Sequence, residues 1–254
     1  MKKRKAGIVI FVIVLIITAV RIKSMDSHRI SGRILAENIA GPGMLRLVEQ
    51  SMQARARKTS VTEIAVKERK HPQAALTFDD GPDIRYTPLL LDGLKERNVR
   101  VSFFLLGEKV EQYPELVERM QKEGHLVGNH TYHHVQLNKL NETKAREEIL
   151  KTNNLIYETT GVYPLYLRPP FGAWKKNLEL CVEMLPVFWT IDTLDWKVQN
   201  TEKIVRTVQE KIEDGAIILM HDEYDTSVEA ALQVVDELKN QGYELVTVDQ
   251  LILP

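Results

Sequence analysis

From residue 73 onward, short apolar runs alternate with longer segments in which apolar residues return at helical spacing. This is the pattern of strands and crossover helices in an α/β fold. The runs predict seven strands, at Ala74–Phe78, Val101–Leu106, His125–Asn129, Leu165–Arg168, Val187–Ile191, Ala216–Met220 and Tyr243–Val248. The segments between them predict helices over Thr87–Arg97, Pro114–Lys122, Asn141–Glu158, Thr201–Glu213 and Ser227–Asn240, the second opening on a proline as helices tolerate. Residues of catalytic type follow the strands: Asp79 and Asp80 the first, His130 the third, Asp192 the fifth and His221 the sixth, while Arg168 closes the fourth. In a parallel barrel the C-terminal strand ends open on one mouth, so groups scattered from position 79 to position 221 are expected to meet there.

The first 70 residues follow another pattern. Lys2, Lys3, Arg4 and Lys5 precede an uncharged apolar stretch from Ala6 to Val20, the order of a secretory signal or a signal anchor. The stretch is shorter than the roughly 20 residues that a bilayer core needs. No small-x-small cleavage site follows it, because Arg21 and Lys23 stand there. The reading is a retained anchor over 1–22, a basic stalk over 23–70 with a break at Gly41-Pro42-Gly43, and one catalytic domain over 71–254. The expected location is the cell membrane, single-pass with the catalytic domain outside, or secretion if the segment is cut.

Charge sharpens this division. Residues 1–70 hold 15 Lys+Arg against 5 Asp+Glu, leaving 19 and 30 of the chain's 34 and 35 for the rest. A basic arm beside an apolar run suits an anionic membrane surface, whereas an acidic body argues against nucleic acid as a partner. No obligate protein partner is indicated. The single cysteine, Cys181, excludes an intramolecular disulfide and a Cys-rich zinc site, and its helical apolar setting reads as core.

Five segments carry chemistry. Thr77-Phe-Asp-Asp-Gly-Pro82 puts adjacent carboxylates on a strand end, tolerable if a cation neutralises one while the other serves as base; alone, it is more often a solvated Asp-Gly turn. His130-Thr-Tyr-His-His134 offers imidazoles that one helical turn would bring to one face. With a carboxylate they make a set suited to zinc or another first-row divalent metal, and spacing alone leaves His133 open beside His134. Arg168-Pro-Pro-Phe-Gly172 is a stiff turn able to aim Arg168 at a carboxylate and a backbone N–H at an oxyanion. Asp192-Thr-Leu-Asp-Trp196 and Leu219-Met-His-Asp222 read either as capped loops or as an acid-tuned histidine beside an aromatic wall.

Together and in this order, the five segments resemble the polysaccharide deacetylase family, also called the NodB-homology domain or carbohydrate esterase family 4. The resemblance covers residues 71–254 and implies a distorted (β/α) barrel of about seven strands. It implies Asp79 as base, His221 as acid, and Asp80, His130 and His134 as ligands of a divalent metal, zinc first with cobalt or manganese as alternatives; His133 is demoted. Arg168 and Asp195 would tune Asp79 and His221. Phe171 N–H would bind the oxyanion, and Trp196 and Leu219 would line the acetyl groove. With export, the expected substrate is peptidoglycan GlcNAc or MurNAc, peptidoglycan being the acetylated polymer beside a bacterial membrane. Chitin oligomers, an extracellular polysaccharide, acetyl xylan or a silent glycan-binding role are the alternatives.

Overall fold

The computed structural model describes residues 70–174 and 184–252. The anchor, the stalk up to residue 69 and Cys181 lie outside them. Among the described residues no helix is long and apolar enough to cross a membrane.

The central strand β1 (Gln73–Asp79) alternates its side chains as a strand must. Ala74, Leu76 and Phe78 face outward into the main core, and Ala75 turns into a second cluster with Phe104, Tyr166, Val187 and Val248. Helices α1 (Thr87–Glu96), α2 (Gly107–Gln112) and α3 (Pro114–Lys122) frame β2 (Ser102–Leu105) and β3 (Leu126–Asn129). The long α4 (Glu142–Thr160) starts where the Asn141 side chain accepts from Lys144 N, and stops at Gly161, whose φ of 72° a glycine adopts freely. There follow β4 (Tyr166–Leu167), β5 (Leu185–Pro186), β6 (Ile191–Asp192), α5 (Asp195–Val198), α6 (Thr201–Lys211), β7 (Ala216–His221), α7 (Asp225–Asn240), β8 (Glu244–Leu245) and α8 (Val248–Ile252). Leu90 and Leu94 of α1 and Val234 and Val235 of α7 press on the outward face of β1, with Phe78 stacked on Phe103 at 5.4 Å. Each such fully buried side chain stabilises the fold by about 1.5–3 kcal/mol.

All pairings are parallel, in the order β5-β4-β3-β2-β1-β7-β6, and β8 pairs with Gln73 and Ala74 of β1 before β2 takes over at Thr77. The two ends of this order, β5 and β6, are joined by residues 187–190 alone. Five residue steps reach at most about 18 Å, so the sheet must curl until its ends face each other. That is the distorted (β/α) barrel.

The same bridge corrects one expectation. Val187–Ile191 is not a single strand: Val187 N donates to Leu167 O at 2.8 Å and Thr190 N to Ile217 O at 2.9 Å. The apolar run therefore crosses from one end of the sheet to the other, which apolar content cannot distinguish from running along one strand. Tyr243–Val248 is likewise not one strand. It holds the two-residue β8, then turns into α8, where the Thr247 hydroxyl donates to Asp249 Oδ1 at 2.5 Å and Ser102 Oγ receives Val248 N at 2.9 Å.

Candidate active site

The alternation of β1 sends Thr77 and Asp79 to the interior face, where Arg168 meets both. Its Nη1 donates to Asp79 Oδ1 at 2.8 Å and to Thr77 Oγ1 at 2.7 Å, and the Thr77 hydroxyl donates onward to Ile218 O at 2.6 Å. Arg168 is fully buried, its guanidinium carbon 4.2 Å from the Phe104 ring centroid, so the aromatic face shares in stabilising the cation. Burial pushes the Asp79 carboxyl above its usual value even though the Arg168 charge pulls the other way. Thr77 opens the first of the five segments, but nothing in the sequence marks it as a partner of Arg168 beyond its place two residues before Asp79.

Asp80 follows Asp79 and, on a strand, would face the opposite side. It is instead in the left-handed region (φ 71°), which brings its carboxylate to the same mouth. Asp80 Oδ1 lies 3.4 Å from His130 Nε2 and 3.4 Å from His134 Nε2. The ligand atoms of these three residues all lie within 4.8 Å of one another.

The two histidines do not share a helical turn. Residues 130–134 form a loop in which Thr131 (φ 67°) and His134 (φ 55°) both adopt left-handed backbone. The convergence expected from spacing is real, but two backbone reversals produce it. His130 Nδ1 donates to the Arg168 carbonyl at 2.7 Å, which leaves Nε2 as the free lone pair facing Asp80. Burial pushes the His130 imidazole down to about 3, so it is neutral at physiological pH, as a metal ligand must be. His133 points elsewhere, its Nδ1 lying 2.8 Å from Glu148 Oε1, which answers the ambiguity that spacing left.

A divalent metal fits this set. Asp80 Oδ1 is buried and accepts no hydrogen bond, an isolation that costs free energy unless a cation meets it. Ligands of a tetrahedral ion held at about 2.0–2.1 Å sit about 3.3–3.4 Å apart, the Asp80–imidazole spacing found here.

On the far side of Asp80, His221 Nε2 lies 3.8 Å from Asp80 Oδ2, and Asp195 grips the back of the ring. Asp195 Oδ1 is 2.8 Å from His221 Nδ1 and Asp195 Oδ2 receives His221 N at 2.8 Å. Burial opposes a charge on His221, but the Asp195 hydrogen bond and the carboxylates of Asp195, Asp79 and Asp80 outweigh it and push the imidazole up to about 9. A folded-state value above the ordinary 6.5 means that stabilisation by the charged pair is complete below pH 6.5 and is lost as pH rises through about 9. In metal-free protein, the melting-temperature gap between wild type and Asp195→Asn should be widest near pH 6 and narrow on the way to pH 9.5. A gap that is flat over this window would refute the charged pair.

Phe171 is 62% exposed, with φ 59° and its ring 4.5 Å from that of His134, which puts its backbone beside the mouth. Trp196 is half exposed at the start of α5, whereas Leu219 is buried on β7, paired with Thr77. Asp192 caps its own loop by accepting from Leu194 N at 2.9 Å.

The polysaccharide deacetylase family model matches residues 66–187. The peptidoglycan-N-acetylglucosamine deacetylase PgdA of Listeria monocytogenes is 42% identical over 185 residues, covering 73% of this chain and 40% of that protein. A Bacillus cereus peptidoglycan-N-acetylglucosamine deacetylase is 40% identical over 186 residues, covering 70% of this chain and 68% of that one. The solved structure of the peptidoglycan deacetylase PdaC of Bacillus subtilis superposes with a TM-score of 0.70 at 41% identity, covering 72% of this chain and 90% of that one. The chain thus spans less than half the length of its Listeria relative, and what it shares is the barrel and its mouth. It belongs to the polysaccharide deacetylase family.

Proposed function

We propose that this protein is a metal-dependent hydrolase that removes acetyl groups from the amino sugars of peptidoglycan, GlcNAc first and MurNAc second. One observation carries the reading. A buried, unpartnered Asp80 oxygen faces two imidazoles, with the carboxylate of Asp79 on one side and the protonatable His221 on the other. Asp80, His130 and His134 would hold zinc, with cobalt or manganese as substitutes. Such an ion supplies Lewis acidity, making a water more acidic and polarising an amide carbonyl.

The chain's own residues do the rest. Asp79 takes the proton of the attacking water as the new C–O bond forms, and burial makes it a stronger base than an exposed carboxylate. Arg168 and Thr77 hold it on target. The Phe171 N–H receives the developing oxyanion. His221, held protonated by Asp195, gives its proton to the departing nitrogen as the C–N bond breaks, releasing acetate and a free amino sugar. Trp196 supplies an exposed wall for the sugar, with Leu219 beneath the acetyl methyl.

The peptidoglycan deacetylase activity of the relatives supports peptidoglycan as the polymer. We further propose that residues 1–22 anchor the domain on the outer membrane face, next to that polymer. Full-length protein incubated with purified peptidoglycan should release acetate, lose that activity on chelation and regain it with added zinc. Mass analysis of the digested glycan names the sugar. Release from chitin oligomers or acetyl xylan alone would overturn the substrate, and no release from any of them would indicate a silent glycan-binding protein.

A further inference from the structure

The loop carrying His130 and His134 is held from outside the site. Its left-handed residues, Thr131 and His134, are conformations that a side chain with a Cβ resists, most of all the branched threonine. Between them, Tyr132 and His133 turn their backbone N–H groups toward α4, where one carboxylate receives both. Glu148 Oε2 accepts from Tyr132 N at 3.0 Å and from His133 N at 2.9 Å, while its Oε1 lies 2.8 Å from His133 Nδ1. The Glu148 side chain is mostly covered, and its carboxylate makes these bonds charge-assisted.

The remaining supports leave the loop little slack. Asn129 Oδ1 accepts from Thr131 N at 2.7 Å, and its Nδ2 is tied to Ile149 O at 2.9 Å and Asn153 Oδ1 at 2.6 Å on α4. From α2, Gly107 N donates to Thr131 O at 2.9 Å, and the Tyr132 hydroxyl donates to Glu111. A Cβ on Gly107 would stand 2.4 Å from the Tyr132 ring. His130 has its own tether in the Arg168 carbonyl. His134 has none of comparable depth: its position depends on the strained turn around it, which Thr131 Oγ1 closes by accepting from Val135 N at 3.2 Å and whose Tyr132 and His133 N–H groups Glu148 pins.

We propose that Glu148 is a positioning residue for metal capture, acting through the Tyr132 and His133 backbone to set His134 Nε2 opposite Asp80 and His130. This rests on reading Asp80, His130 and His134 as the metal site. Loss of the carboxylate takes the acceptor from two N–H groups, loosens residues 132 and 133 just before His134 and unseats one of three ligands. Outer supports of metal ligands commonly govern affinity by about 10- to 100-fold.

The test is a cobalt titration of the full-length, chelator-stripped protein followed by visible absorption, with zinc affinity from calorimetry and a melting curve for each metal-free variant. Glu148→Ala should bind about 10- to 100-fold more weakly, with an altered cobalt spectrum, at a temperature where its melting curve shows it folded. Glu148→Gln keeps an oxygen able to accept both N–H groups and should stay within a few-fold of wild type. His133→Ala, which removes only the ring contact, should do the same. Asp80→Ala should abolish the signal and so assign it to this site. A folded Glu148→Ala with wild-type affinity and spectrum overturns the proposal, even if it melts earlier, and so does Glu148→Gln falling as far as the alanine variant. Wild type that takes up no metal, or Asp80→Ala that keeps the signal, overturns the metal-site reading beneath it.

Discussion

Asp79→Asn should lower acetate release by about 10²- to 10⁴-fold, the range that a positioned general base contributes, while leaving zinc affinity within a few-fold of wild type. The separation follows from the geometry. Asp79 Oδ2 lies 3.8 Å from His130 Nε2 and its other oxygen is taken by Arg168, so Asp79 borders the metal set without completing it. Asparagine keeps the shape but cannot take a proton. It also leaves the buried Arg168 without its countercharge, so turnover must be compared well below the variant's melting temperature. Acetate release above one tenth of wild type, with metal bound, would remove Asp79 from the role of base.

Arg168→Met should show the larger cost in stability. Arg168 is fully buried and its charge is met by Asp79, itself only 3% exposed. Removing one partner of a buried pair costs about 3–5 kcal/mol, which for a domain of this size corresponds to a melting temperature lower by about 6–20 °C. The stranded carboxylate loses its nearest cation and is driven further toward binding a proton, the direction in which burial already pushes it. Activity at neutral pH should therefore fall together with stability. A variant that melts within 2 °C of wild type and retains its activity would show that Arg168 neither holds nor tunes Asp79.

Much of this arrangement was readable in the linear pattern, and the reasons are local. Pro114–Lys122 was delimited to the residue because proline opens a helix cleanly and the apolar spacing of Leu116, Val117 and Met120 leaves one buried face. The convergence of Asp79, Asp80, His130, Arg168 and His221 follows from parallel strands sharing one mouth. What escaped depends on long-range closure or on backbone reversals. Val187–Ile191 is apolar whether it runs along a strand or bridges the two ends of a barrel. The left-handed conformations of Asp80, Thr131 and His134 belong to residues that give no glycine signal, and neighbours far along the chain impose them. Glu148 looks in sequence like any helical glutamate, and only the fold brings it to the backbone of residues 132 and 133.

Asp79 and His221 are partners in the β1–β7 register, at the ends of neighbouring parallel strands. The backbone spacing between the proposed base and acid is therefore set by the interstrand repeat of about 4.8 Å, while Arg168 and Asp195 aim the two side chains. The walls of the cleft come from elsewhere: Phe171 from the turn after β4 and Trp196 from the segment after β6. Those same loops also carry groups of the proposed chemistry, the Phe171 N–H in one and Asp195, which grips His221, in the other. An engineer seeking a new acetylated substrate should therefore vary the exposed Trp196 and the Phe171 side chain while keeping Asp195, the residue-171 backbone and both strand ends untouched.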